Sequence, residues 1–262
     1  MSSKATRTMQ RDIERRIPTL LRGTYEYVRL EVRRTLRERS YLVFTVGLPV
    51  LLYLLFSDLG DGDTDDVKTS LMVGMAAYGG IGAALGNGST IAEDKQLGWL
   101  RQLRITPLTS AQVVGGRLVT GLIVVLPAIA AVLAAGALFN DVTLSGPQWA
   151  TITLLLWLGT APFCLLGLGN GYRFDGNTAN LANLSCSILL AVGGGLWLPA
   201  DDFPDWLAEL AKWTPAHGYG ELSWSVTDGH APGTVPLVSF TAWLAIFGAW
   251  AIHAYRRPSR GA

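Results

Sequence analysis

His217 and Glu221 stand four residues apart, which on a helix would place an imidazole and a carboxylate on one face, with Asp201 and Asp202 not far upstream. Such a set could hold a metal or activate a water, but no third ligand is identifiable, and the alternative is a solvated loop. No Cys or His pair elsewhere has zinc-ligand spacing. Ser185 has no nearby His or Lys to activate it. His253 closes an apolar run, where a snorkelling or interfacial role fits better than a proton relay. No Gly-x-x-x-x-Gly-Lys-Ser/Thr run occurs, so the chain has no P-loop for ATP. The expectation is a chain that is not an enzyme, with no catalytic residue, no metal and no cofactor of its own. Its function must then lie in how its charged and uncharged stretches alternate.

Six long stretches after Arg39 contain no Lys, Arg, Asp or Glu: Ser40–Ser57, Thr69–Ala92, Leu118–Asn140, Val142–Tyr172, Gly176–Ala200 and Gly229–Tyr255. Crossing a hydrocarbon core of ~30 Å takes about 20 apolar residues. The first stretch, with 18, is near the lower limit. Backbone polar groups in lipid must be satisfied within the segment, so each stretch is expected to be helical. The short alternating segments of a membrane barrel are absent, and soluble cores rarely carry six such runs. The predicted fold is an all-α integral membrane protein with six transmembrane helices. It forms one domain over residues 1–262: an N-terminal segment 1–39, a membrane region 40–255 and a tail 256–262. The first 40 residues are polar and show no apolar run before a small-residue cleavage site. Cys164 and Cys186 fall inside predicted spans, where a disulfide is not expected.

The charges orient the thread. Of 21 Lys and Arg, 11 precede Ser40 and four lie between Glu93 and Arg117; Arg173, Arg256, Arg257 and Arg260 fall on the same side. Only Lys68 and Lys212 fall on the other. Cytoplasmic loops carry the Lys/Arg excess, so both termini are predicted to face the cytoplasm. The outer loops are acidic, with Asp58, Asp61, Asp63, Asp65 and Asp66 after the first span and Asp201, Asp202 and Asp205 after the fifth. A net charge of +1 hides this asymmetry and gives no basic footprint for nucleic acid.

Ahead of the first span, Leu21, Tyr25, Val28, Val32 and Leu36 share one helical face, while Arg22, Arg29, Arg33, Arg34 and Arg37 lie largely off it. A basic amphipathic helix of this kind lies in the headgroup plane with its Arg side chains on anionic phosphates. Packing on a partner protein is the alternative.

The loop after the second span reads IAEDKQLGWLRQLRITPLTSAQVVGGRL. A short helix from about Ile91 to Leu103 is expected, ended by Thr106-Pro107, because the residue before proline avoids the helical region. Its mixed charge and Trp99 suit contact with a soluble partner; a tight connector fits the composition equally well.

The run Glu93-Asp94-Lys95-Gln96-Leu97-Gly98-Trp99-Leu100-Arg101-Gln102-Leu103-Arg104-Ile105-Thr106-Pro107-Leu108 resembles the signature of ABC-2 type permeases: an acidic residue, a Gly, a hydrophobic stretch, then Thr-Pro-Leu. The resemblance extends to the amphipathic helix before span one, the six spans and a broken fifth span. It implies that the loop is a coupling helix, with Glu93, Asp94, Gln96, Gly98, Trp99, Leu100, Arg101, Arg104, Thr106 and Pro107 docking on a separate ATP-hydrolysing subunit. ATP and Mg would be bound by that partner, and a second permease copy, identical or related, would complete the path. Trp99 departs from the small or polar residue common after the Gly, which points to a subgroup.

Span five ends in Gly193-Gly194-Gly195-Leu196-Trp197-Leu198-Pro199. Each Gly weakens a helix by about 1 kcal/mol against Ala, and Pro199 stops it. Phe203, Trp206, Leu207, Leu210 and Trp213 then share a helical face, with Pro204 at the start and Pro215 as a stop. This predicts an outer helix at the membrane boundary. It resembles the family's re-entrant segment after helix five, which lines the outer end of the path; plain lipid anchoring is the alternative. Asn180, Asn183, Gly194 and Trp197 are the candidates for a substrate path. For most of the span asparagines, which include Asn87, Asn170 and Asn177, interhelical hydrogen bonds are the preferred reading. Gly82/Gly86 and Gly167/Gly171 have small-xxx-small spacing for close helix packing.

No charged residue lies mid-span, which argues against a small hydrophilic ion as cargo. The resemblance therefore implies the permease subunit of an exporter for an amphipathic drug- or lipid-like substrate in the cytoplasmic membrane. A six-span scaffold or sensor signalling through a cytoplasmic partner is the alternative.

Overall fold

The computed structural model describes residues 33, 41–59, 65–96, 110–197, 203–230 and 233–256. Backbone proximity divides the chain into Met1–Arg39 and Ser40–Ala262, and every element below belongs to the second unit. Among the described residues all regular structure is helical. A π-helical stretch, Tyr41–Gly47, leads into α1 (Leu48–Leu59). Then come α2 (Asp65–Gln96), α3 (Ser110–Phe139), α4 (Gly146–Leu158), α5 (Ala161–Arg173), α6 (Gly176–Gly193), α7 (Asp205–Ala211), α8 (Pro215–Thr227) and α9 (Thr234–Arg256).

By length and composition four units can cross a membrane: α2, α3, α4 with α5, and α9. The other two predicted spans fall short of that standard. Only 12 residues of the first are α-helical, after seven in π geometry. Pro49 explains the π stretch: it lacks the N–H that the Thr45 carbonyl would use in an α-helix. α6 has 18 residues, but Asn177, Asn180, Asn183, Ser185 and Ser187 dilute its apolar character.

α2 is the axis of the bundle, in contact with α1, α3, α5, α6 and α8. Of its apolar window 72% is buried, against 17% for α9, which leans on α5 and α8 at the periphery. Glycine sets the closest approach. A Cβ on Gly88 would overlap the Gly167 carbonyl, and one on Gly171 would overlap the Gly88 carbonyl, so α2 and α5 touch backbone to backbone. Without a hydrophobic drive between helices in lipid, such close packing supplies the attraction. The Gly167/Gly171 pair thus lies at a crossing, whereas Gly82 and Gly86 meet nothing within 4 Å.

The stretch read as one fourth span is broken at Gly159-Thr160. Pro162 follows and cannot donate a backbone hydrogen bond. Thr160 N–H bonds to the Trp157 carbonyl at 3.2 Å rather than to Leu156. The freed Leu156 carbonyl accepts instead from the Tyr219 hydroxyl of α8 at 2.7 Å. Gly159 is required there, because any Cβ would run into the Tyr219 ring.

α6 ends at Gly193, within the glycine run expected to weaken it and ahead of Pro199, the expected stop, and Gly195 takes a left-handed φ of 74°. Pro215 differs from expectation. It does not merely stop α7; it occupies the first turn of α8, where its missing N–H and fixed φ suit a helix start, and the Thr214 side chain caps the His217 N–H at 3.2 Å. His217 and Glu221 therefore lie on a helix and not in a solvated loop.

Candidate functional site

The polar chemistry gathers at opposite ends of α2. At the Asp65 end is a cavity of about 580 Å³, within the roughly 300–1,000 Å³ range of small-molecule sites. Its walls are the start of α2 (Ser70, Leu71), the turn after α6 (Gly195, Leu196, Trp197), α7 and the residue that follows it (Ala208, Lys212), α8 and the start of α9 (Val235, Pro236). α8 contributes His217, Glu221 and Trp224, and Asp228 caps its end, at steps of four, three and four, hence one helical stripe. The opposite face of α8, with Ala216, Tyr219 and Ser223, is fully buried. One helix thus seals the core with one face and lines the cavity with the other.

Hydrogen bonds fix this wall. The Trp224 indole N–H donates to the Ser70 carbonyl at 3.0 Å, tying α8 to α2. His217 Nδ1 lies 3.3 Å from the Gly194 carbonyl. A carbonyl only accepts, so that nitrogen donates. Gly194 must be small, since a Cβ would stand 2.6 Å from the Ala216 Cβ. Trp197 packs edge-on against Tyr78 with ring centres 5.1 Å apart, and its indole nitrogen is buried with no acceptor among the described residues. The Trp213 carbonyl, at the end of α7, accepts from Trp243 at 2.8 Å and Ser239 at 3.3 Å, so α9 holds the floor in place. On α7 and just after it, Trp206, Leu210 and Trp213 are exposed.

At the Gln96 end of α2 the polar groups pair with each other. Asn170 of α5 donates to Asn183 of α6 at 2.9 Å, and Asn183 donates to Ser89 of α2 at 3.3 Å. Ser89 in turn donates to Asn180 at 3.4 Å. Well over one turn further along α2, Arg117 of α3 meets Asp94 at 3.0 Å, with both side chains largely covered. Lys95 donates to the Phe174 carbonyl at 3.0 Å and lies 3.4 Å from the Asp175 carboxylate, holding the α5–α6 turn.

No known protein-family model matches the chain. The chain is similar to the Bacillus subtilis (strain 168) protein named "Putative transport permease YvfS", with 24% identity over 221 residues, covering 83% of this chain and 90% of that protein. The likeness therefore concerns most of both chains rather than a single loop.

The residues singled out from sequence separate in space. Gly194 and Trp197 belong to the cavity end: Trp197 lines the cavity and Gly194 lets α8 close against α6. Asn180 lies 14 residues before Gly194, about 20 Å along a helix axis, and with Asn183 it belongs to the interhelical network. Glu93, Asp94 and Gln96 continue α2 without a break, so the helix expected to begin near Ile91 is part of the central helix as far as Gln96. Gly98, Trp99, Leu100, Arg101, Arg104, Thr106 and Pro107 lie outside the described residues, as do Arg29, Arg34 and Arg37; Arg33 is helical and exposed. Trp224, Asp228, Ser89 and Arg117 were not singled out. The stripe 217, 221, 224, 228 was the available signal, but its members are polar or aromatic, so a search for apolar periodicity passes over it.

Among the described residues no group of three or more His, Cys, Asp or Glu could hold a metal.

Proposed function

We propose that this chain is the membrane subunit of an ABC-2 type exporter, moving an amphipathic substrate across the cytoplasmic membrane with energy from ATP hydrolysed on a separate subunit. In this reading the chain crosses six times with both termini in the cytoplasm. α1 with its π-helical lead-in has 19 residues and α6 has 18, each spanning nearly 30 Å at about 1.5 Å per residue. A second copy or a close relative completes the path. ATP and Mg belong to the partner, and this chain catalyses nothing itself.

The observation that carries the reading is the mechanical continuity of α2. The motif Glu93–Leu108 begins on the last turn of the central helix. Asp94 ties that turn to α3 and Lys95 ties it to the α5–α6 turn. A push on the loop by a nucleotide-driven partner would therefore reach three neighbouring elements together. The far end of the same helix borders the cavity. Alternating access then needs only that ATP binding favour one of two bundle arrangements. The similarity to a protein named as a transport permease supports the same reading.

The test is purification of the full chain from native membranes. An ATPase subunit should copurify, and Glu93→Lys with Arg101→Glu should release it. A partner without ATPase activity would favour a scaffold or sensor. A complex that survives the double replacement would end the assignment of this loop.

A further inference from the structure

The charges on the cavity wall do not balance. Among the described residues Lys212 is the one lysine on it, and that ammonium already lies 3.0 Å from Glu209, three residues earlier. Glu221 and Asp228 have no ion-pair partner among the described residues; Asp228 accepts only a hydrogen bond from Thr227 at 3.3 Å. His217 turns its Nδ1 to the Gly194 carbonyl. The elements around the mouth add Asp65 and Asp66 on the first turn of α2 and Asp205 and Glu209 on α7, all exposed, against Lys68 and Lys212. A cleft lined by one sign of charge with low-dielectric walls raises the local concentration of the opposite ion.

The rest of the wall is apolar and aromatic. Trp197 and Trp224 come from two different regions of the chain, and Leu71, Leu196 and Val235 line the same cavity. Indole faces attract organic cations as well as covering apolar groups. A bare metal ion would gain nothing from such a surface, and His217, Glu221 and Asp228 do not come together as a ligand set.

We infer that this cavity binds amphipathic organic cations, with Glu221 and Asp228 as counter-charges and Trp197 and Trp224 as the wall for the apolar body. Anionic amphiphiles of the same size are excluded by the same two carboxylates. The inference names the substrate class of the proposed exporter and rests on that reading for its physiological meaning; occupancy of the cavity does not depend on it.

The test uses two probes of matched shape and opposite charge, tetraphenylphosphonium and tetraphenylborate, on the purified full-length chain in nanodiscs, with empty nanodiscs subtracted. The phosphonium should bind saturably and the borate should not. Glu221→Gln with Asp228→Asn should weaken phosphonium binding about tenfold or more, and Lys212→Gln should tighten it about threefold by removing the opposing cation. Because the Lys212 change acts in the opposite direction on an exposed side chain, loss of fold cannot imitate it. Equal binding of both probes, or phosphonium affinity unchanged by both substitutions, overturns the inference. Copurification of an ATPase is scored separately. Charge-selective binding without such a partner defeats the exporter reading alone; an ATPase partner without charge selectivity defeats this inference alone.

Discussion

The two ends of α2 solve the problem of polar groups in an apolar bundle in opposite ways. At the Gln96 end every polar side chain in the Asn170–Asn183–Ser89–Asn180 chain answers another, and glycine lets the backbones touch. At the Asp65 end Glu221 and Asp228 line open space beside two indoles. The first arrangement makes a rigid joint. The second leaves interaction capacity unused among the described residues, which is what a ligand site requires. Stability and recognition are thus placed about one helix length apart on the same element.

This contrast can be broken most sharply at the glycine crossing. Gly88→Val should cost about 3 kcal/mol or more, because the obstacle is backbone and cannot rotate away. Size-exclusion and thermal unfolding in detergent should show loss of monodisperse protein. Gly86→Ala, two residues away, should be neutral or stabilising by up to about 1 kcal/mol, since it adds helix propensity where no contact is met. If both variants behave alike, the crossing is misplaced.

The asparagine network comes next. Asn183→Leu strands the Asn170 amide and should destabilise by about 1–2 kcal/mol. A melting temperature unchanged within a degree would mean that these groups find other partners.

A double-mutant cycle with Asp94→Asn and Arg117→Gln sharpens the joint further. The pair is largely covered, so a coupling of about 1 kcal/mol is expected, above the usual value for exposed pairs. Under the proposed function both single variants should also lower transport per ATP hydrolysed.

The smallest effect is expected at the cavity. Glu221→Gln should shift stability by less than about 0.5 kcal/mol, as its carboxylate has no ion-pair partner to lose among the described residues. A large destabilisation would make Glu221 a structural residue and erase the difference between the two ends.

Much of this was readable in advance, and the failures have physical causes. The helical class followed from uncharged run lengths, and the weak point at the end of α6 from three glycines, because both are local properties of the chain; the stop was placed at Pro199, whereas the helix already ends at Gly193. Pro215 was misjudged because proline fits both after one helix and at the start of the next; only tertiary packing of α8 selects between them. The break at Gly159-Thr160 was missed inside an uninterrupted apolar stretch, where hydropathy carries no information about backbone geometry. Gly82/Gly86 and Gly167/Gly171 have the same spacing, yet only the second pair meets another helix; spacing sets a face and says nothing of what lies against it. The cavity needed the fold, since its wall joins Ser70 and Leu71 of α2 to residues that begin only at Gly195.

The phenol of Tyr219 carries one more consequence. It closes the gap in the α4–α5 backbone by taking the Leu156 carbonyl, a group that lipid could not satisfy. Swinging α8 outward would bare that oxygen, so α4, α5 and α8 travel as a single plate.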